Sequence, residues 1–128
     1  MGLVVLMGFL ALAVDVGSLW TQRRQIQTVA DAAAVAGMNA LQSGLTCSSG
    51  SCPAAQDVAK INGYQDGVNG ATVTAGPPGT PPASPANGTY VEVDVAQSVP
   101  TYFLRVLGYD TVNVSTRESA STRSACGY

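Results

Sequence analysis

The first nineteen residues form an almost continuous apolar run, MGLVVLMGFLALAVDVGSL. Its one charged residue is Asp15, which stands where an aliphatic side chain is expected. From Trp20 to Leu41, apolar and small residues recur at spacings of three and four, and no proline interrupts them. Such spacing is typical of an amphipathic helix. We therefore predict one long helix that is apolar nearly all round before Trp20, amphipathic after it, and ended by Gly44.

Shorter elements follow this helix. The pattern predicts a helix from Ala54 to Tyr64, strands over 71–75, 89–97 and 110–123, and a short helix or turn within VPTYFLRVLGYD. PPGTPPASPANG reads as an irregular surface loop. The predicted fold class is α+β, with a long N-terminal apolar/amphipathic helix packed on a small head that has a short helix and a roughly three-stranded antiparallel sheet. We divide the chain into an apolar assembly or membrane segment, 1–22, and a head, 23–128, that includes the second half of the long helix.

Charge and composition restrict the function. The net charge is -2 with six Lys plus Arg, so no basic surface is available for nucleic acid. Histidine is absent, which removes the commonest general base and the commonest zinc ligand. No phosphate-binding loop, nucleophile motif or acidic metal cluster is recognisable in the sequence. We expect a protein that is not an enzyme, with no catalytic residue, metal or cofactor.

A cleaved signal peptide is the alternative interpretation of the apolar run. It requires a basic segment before the apolar stretch and a cleavage site of small residues after it. No Lys or Arg precedes Arg23, and the run passes directly into the rest of the predicted helix. Cleavage would cut that helix in two, so we favour a retained helix.

The string AVDVGSLWTQRRQIQTVADAAAVAGMNAL resembles the N-terminal helix of the TadE/TadG-like pilus-associated proteins. In that group an apolar segment leads through an Asp-x-Gly step into an arginine-bearing stretch and an alanine-rich string. The segments AKINGYQDG, VEVDVAQSVPTYFLRVLG and VNVSTRESA resemble the elements that often follow. The resemblance implies type IV pilin-like architecture and a membrane-inserted precursor with its head outside the cytoplasm. The chain lacks a recognisable processing site and the N-terminal glutamate of many pilins.

From the helix and the resemblance we predict a structural pilin-like subunit. It would polymerise through its apolar helix with identical subunits into a cell-surface, extracellular filament, after a stage in the inner membrane and with help from pilus secretion machinery. A membrane-anchored assembly factor is the second reading, and a carboxylate-dependent extracellular enzyme, for which no site is identifiable, is the third. The expected assembly contacts are the large apolar residues of the first half of the helix: Leu3, Val4, Leu6, Met7, Phe9, Leu10, Leu12, Val14, Val16 and Leu19.

Asp15 allows two interpretations. It either ends the apolar span at the membrane interface or forms a charge contact between subunits. Arg23 lies about 12 Å further along the helix axis, too far for an easy pair within one chain. A staggered neighbour would bring its Arg23, Arg24 or amino terminus alongside, and the pair would then fix the register of assembly.

The cysteines bear on the compartment of the head. Cys47 and Cys52 enclose a four-residue Ser/Gly loop, and two cysteines without histidine do not complete a zinc site, so a disulfide and an oxidising compartment are favoured. Arg23 and Arg24 oppose this placement, because the positive-inside tendency alone puts the head in the cytoplasm. No role is assigned to Cys126. The candidate glycan sites of the proline-rich region are Thr80, Ser84 and Asn87.

Overall fold

The chain forms one long helix with a small α+β head on its C-terminal part. The computed structural model describes residues 1–47, 51–76 and 90–121. The elements in chain order are α1 (Gly2–Gln42), α2 (Pro53–Ile61), β1 (Ala71–Gly76), β2 (Tyr90–Pro100), a 3₁₀ helix (Leu104–Leu107) and β3 (Thr111–Ser121). The predicted fold class and element order are therefore confirmed.

Helix α1 runs for 41 residues, which corresponds to about 60 Å at 1.5 Å per residue. It ends where Gly44 adopts φ +85°, a left-handed conformation that glycine reaches without steric cost. Helix α2 begins with Pro53 in its first turn, a position where the missing N–H is not needed. It ends at Ile61, three residues earlier than predicted.

The sheet has the order β1-β2-β3, and both strand pairs are antiparallel. Along β2, Val91, Val93 and Val95 are fully buried, whereas Glu92 and Asp94 between them are only partly buried. This alternation is the period of two that places successive side chains on opposite faces of a strand. The valine face therefore covers the core, and strand β2 extends to Pro100, three residues beyond the predicted end.

Small residues on α1 allow the sheet and α2 to approach its backbone closely. Ala30, Ala33 and Ala34 are buried in the core. A Cβ atom built on Gly37 would lie 3.0 Å from Val91 Cγ1 and 3.4 Å from the Cβ of Ala55. The alanine-rich string thus packs α1 against the head.

The outer face of the sheet carries a small charge cluster. Arg117 on β3 contacts Asp94 at 3.2 Å and Glu92 at 3.5 Å on β2. The hydrogen bond that Arg117 donates to Asp94 and the charges of both carboxylates raise the pKa of Arg117. Arg117 is largely exposed, so we regard the cluster as a solvated surface feature of low energetic weight.

Candidate functional site at the junction of helix and head

The face of α1 that contacts the head extends into the apolar run. Ala11, Ser18, Leu19 and Gln22 are partly buried and Asp15 is buried, whereas the other residues from 1 to 25 are exposed. These positions share the helix face that continues to Ile26, since they follow one another at steps of three or four. Asp15 therefore points toward the head of its own chain.

The carboxylate of Asp15 accepts three backbone hydrogen bonds from the segment between β2 and β3. One oxygen accepts the N–H of Tyr102 at 3.1 Å, and the other accepts those of Phe103 at 2.9 Å and Leu104 at 2.8 Å. Asp15 is only 2% exposed. Backbone donors that converge on a buried carboxylate replace the water it loses, and hydrogen bonds to an ionised acceptor are the stronger kind.

The segment that supplies these donors is a closed loop, Thr101–Asp110, which we call the apolar loop. Thr101 donates its backbone N–H to the carbonyl of Asp110 at 3.1 Å, and its hydroxyl donates to the carbonyl of Tyr109. Gly108 turns the chain after the 3₁₀ helix with φ +92°. These bonds hold the ends of the loop together, so its first N–H groups project as a set toward Asp15.

The predicted assembly residues lie almost entirely outside the head. Nine of the ten are between 47% and 75% exposed, and they surround the helix on every side except the narrow head-facing stripe. Leu19 differs, because it is partly buried and packs against the core. The helix from Gly2 to Gln42 is long and apolar enough, by length and composition, to cross a membrane. The boundary at residue 22 stays a prediction, although contact with the head begins earlier, at Ala11 and Asp15.

Arg23 and Arg24 are exposed and form no ion pair within the described parts of the chain. Arg23 instead lines an open groove of about 440 Å³ between α1 and the start of β3, together with Val16, Leu19, Trp20 and residues 112–115. The predicted contact of Asp15 with an arginine of a neighbouring subunit stays a prediction. Both oxygens of Asp15 already have partners in their own chain, so such a contact would have to share or displace them.

Cys47 and Cys52 form the predicted disulfide. Cys52 is fully buried in the core, so the bond attaches the end of α1 to the beginning of α2. Among the described residues, no group of three or more His, Cys, Asp or Glu could hold a metal ion. Cys126 and the candidate glycan sites Thr80, Ser84 and Asn87 lie outside the described residues.

Sequence reasoning identified Asp15 as unusual but missed its partner. The short helix or turn expected within VPTYFLRVLGYD forms as the 3₁₀ helix Leu104–Leu107, but most of the large apolar side chains of this segment are exposed. Nothing in the sequence warned of this exposure, because Phe103, Val106 and Leu107 recur at the three- and four-residue spacing of a buried helix face. The three backbone donors leave no trace in the sequence, since every residue except proline carries one.

The comparisons with known proteins bear on the first third of the chain. Residues 1–42, which comprise α1 and the residue before it, match the family model Tad, described as "Putative Flp pilus-assembly TadE/G-like". No curated protein and no solved structure matched the chain. The match confirms the TadE/TadG-like resemblance of the N-terminal helix, whereas the resemblance of the later segments stays a prediction. The description of that family names pilus assembly and no enzymatic activity.

Proposed function

We propose that this chain is a structural pilin-like subunit that polymerises through the first half of α1 into an extracellular surface filament. The observation that carries the proposal is the helix from Leu3 to Val14, whose large apolar side chains are exposed around nearly the whole circumference. A surface of this kind requires an apolar environment, which either lipid or neighbouring helices can supply. Lipid would surround it before assembly and identical helices would surround it afterwards.

Burial of this surface would drive assembly. At about 25 cal/mol for each Å² of apolar surface removed from water, contacts with several neighbours add up to a stable noncovalent polymer. Gly2, Gly8 and Gly17 each have open space where a Cβ would stand, so neighbouring helices could approach the backbone closely. The heads would then tile the outside of the filament, because each is attached to the distal part of its own helix.

The disulfide supports a head outside the cytoplasm. Disulfides persist in oxidising compartments and are rare in the cytosol, and this one joins two elements of the core. The positive-inside tendency of Arg23 and Arg24 is the opposing consideration. We propose that the head faces the periplasm and then the cell surface, with the precursor anchored in the inner membrane and delivered by the pilus machinery.

A membrane-anchored assembly factor is the second candidate function. The description of the matching family favours it, since that description names pilus assembly. Such a factor would keep α1 in the bilayer and present its head to the machinery. The two candidates share the anchored state and differ in whether the chain leaves the membrane.

The test uses a host that carries Flp pilus machinery and expresses the full chain. Surface filaments are sheared from the cells and examined by negative-stain microscopy and mass spectrometry. The proposal expects filaments in which this chain is the main protein and is labelled along the whole length. Recovery of the chain only in the membrane fraction, with filaments free of it, would establish the assembly factor instead.

A matched pair of variants tests the role of the apolar helix. Phe9→Asp places a charge on the exposed apolar half of α1, whereas Val35→Asp places one at a similarly exposed position beside the head. We expect loss of filaments for Phe9→Asp and filaments at the normal level for Val35→Asp. Equal filament yield from the two variants would count against polymerisation through the first half of α1.

A further inference from the structure

The apolar loop exposes a cluster of large side chains that the head does not use. Five of its ten residues are large apolar or aromatic residues between 47% and 87% exposed, namely Tyr102, Phe103, Val106, Leu107 and Tyr109. Single exposed apolar residues are common on protein surfaces, but a contiguous group of this kind marks an interaction site.

The loop lies beside the apolar run of α1. Three backbone N–H groups of the loop bond to Asp15, which lies within the nineteen-residue apolar run. Along the helix, Trp20 follows about 7 Å further from the N-terminus and Arg23 about 12 Å further. Trp and Arg favour the membrane–water interface and the headgroup layer. Residues 102–104 of the apolar loop therefore contact α1 nearer to its apolar end than the residues that normally mark an interface.

Most backbone N–H groups of the loop have a hydrogen-bond acceptor within the protein, so they do not require water. The N–H groups of Tyr102, Phe103 and Leu104 bond to Asp15. Those of four further loop residues bond to carbonyls inside the loop, namely Thr101, Val106, Gly108 and Tyr109. Unsatisfied backbone groups are what normally keep irregular segments out of the membrane.

The charges of the loop also balance. Arg105 Nε lies 3.2 Å from Asp110 Oδ1, so the two charged side chains of the loop form an ion pair. The long side chain of Arg105 can extend toward lipid phosphates while its methylene groups stay at the apolar boundary. The loop thus combines an apolar surface, seven hydrogen-bonded backbone N–H groups and no net charge.

We propose that the apolar loop is a second membrane contact, which inserts Val106, Leu107 and its aromatic residues into the interfacial layer of the bilayer that holds α1. The inference rests on the membrane-anchored state of the proposed function and adds an orientation to it. Asp15 joins two membrane-contacting segments, the helix and the loop, so the head is held at a fixed height and tilt above the lipid. A free hinge between anchor and head is excluded by this arrangement.

The experiment places a fluorescent reporter on the loop. The full chain carries Trp20→Phe to remove the natural indole, together with Val106→Trp. Val106 is 87% exposed, so the substitution fits without repacking. The matched control is Ile61→Trp in the same background, because Ile61 is 84% exposed at the end of α2. Ala55, in the same helix, packs against Gly37, which lies about 33 Å along α1 from Asp15.

Each variant is reconstituted into phosphatidylcholine/phosphatidylglycerol vesicles, with or without lipids brominated near the headgroup end of the acyl chain. We expect the indole at position 106 to show blue-shifted emission and to be quenched by the brominated lipid. The indole at position 61 should keep water-like emission and escape quenching. Leu107→Trp repeats the measurement at a second exposed site of the loop.

Flotation of the vesicles distinguishes failure of the loop contact from failure of the membrane anchor. If the protein floats with the vesicles but positions 106 and 61 behave alike, the loop contact is wrong and the membrane anchor stands. If the protein does not float, membrane anchoring fails and the inference fails with it. A blue shift at position 106 that depends on protein concentration, without quenching by brominated lipid, would overturn the inference in favour of contact with a second copy of the chain.

Discussion

Asp15 and Leu104 are 89 residues apart in the chain, yet the Asp15 carboxylate accepts the Leu104 backbone N–H at 2.8 Å. Together with the bonds from Tyr102 and Phe103, this contact connects the apolar half of α1 to the loop between the last two strands. The charged residue in the apolar run is thus a docking point within the chain. Its position explains how the apolar half of α1 is held against the head.

Replacement of Asp15 should release the apolar loop. Asp15→Ala removes the acceptor for three backbone N–H groups, and hydrogen bonds to a charged group contribute about 1.5–3 kcal/mol each. We expect the amides of Tyr102, Phe103 and Leu104 to exchange with solvent deuterium about ten to a hundred times faster. Hydrogen exchange of the detergent-solubilised chain measures this directly.

Asp57→Ala is the control for this experiment, because Asp57 is an exposed carboxylate on α2 and accepts none of the loop's hydrogen bonds to Asp15. Asp15→Asn should produce a partial effect, since an amide keeps one acceptor oxygen but turns a donor group toward the other N–H. Unchanged exchange at positions 102–104 in Asp15→Ala would show that the loop is held by other contacts.

A larger residue at position 37 should destabilise the head. Gly37→Leu forces a side chain against Val91, Ala55 and Cys52, whose atoms lie 3.0–3.4 Å from the position of the new Cβ. Overpacking of this kind typically costs about 1–3 kcal/mol, and we expect a loss of free energy of unfolding in that range. Thermal unfolding in detergent, followed by near-ultraviolet circular dichroism, provides the measurement. Gly8→Leu is the control, because nothing lies within 4 Å of its Cβ position; an equal loss there would refute the packing explanation.

Loss of the disulfide should lower stability by a moderate amount. Its sequence separation is 5, and closing so short a loop stabilises by about 2 kcal/mol in the chain-entropy account. We expect Cys47→Ala/Cys52→Ala to unfold at a lower temperature than the unmodified chain. A reductant should lower the unfolding temperature of the unmodified chain and leave the double variant unchanged. A reductant effect of similar size on both proteins would assign the loss to something other than this bond.

Several parts of the fold follow from periodicity. The spacing of three and four from Ile26 onward places Ala30, Ala33 and Gly37 on one helix face, and the structure buries all of them. The alternation of Val91, Val93 and Val95 with acidic residues identifies a strand with one wet face. Such patterns are local, because a side chain's direction is set by the geometry of its own helix or strand. The predicted ends of α2 and β2 were each wrong by three residues, because residues outside an element decide where its hydrogen bonding stops.

The sequence by itself determined the long apolar helix, the α+β class and the candidate disulfide. Each of these can be read from residues that are close together in the chain: the apolar run, the spacing of apolar residues, and two cysteines five residues apart. Only the tertiary structure decided that Asp15 is satisfied within its own chain and that the residues from Tyr102 to Tyr109 face outward beside the apolar run. A carboxylate can accept backbone N–H groups from any segment that the fold brings near. Which segment arrives depends on the packing of β2 and β3 against α1, and no local pattern encodes that choice.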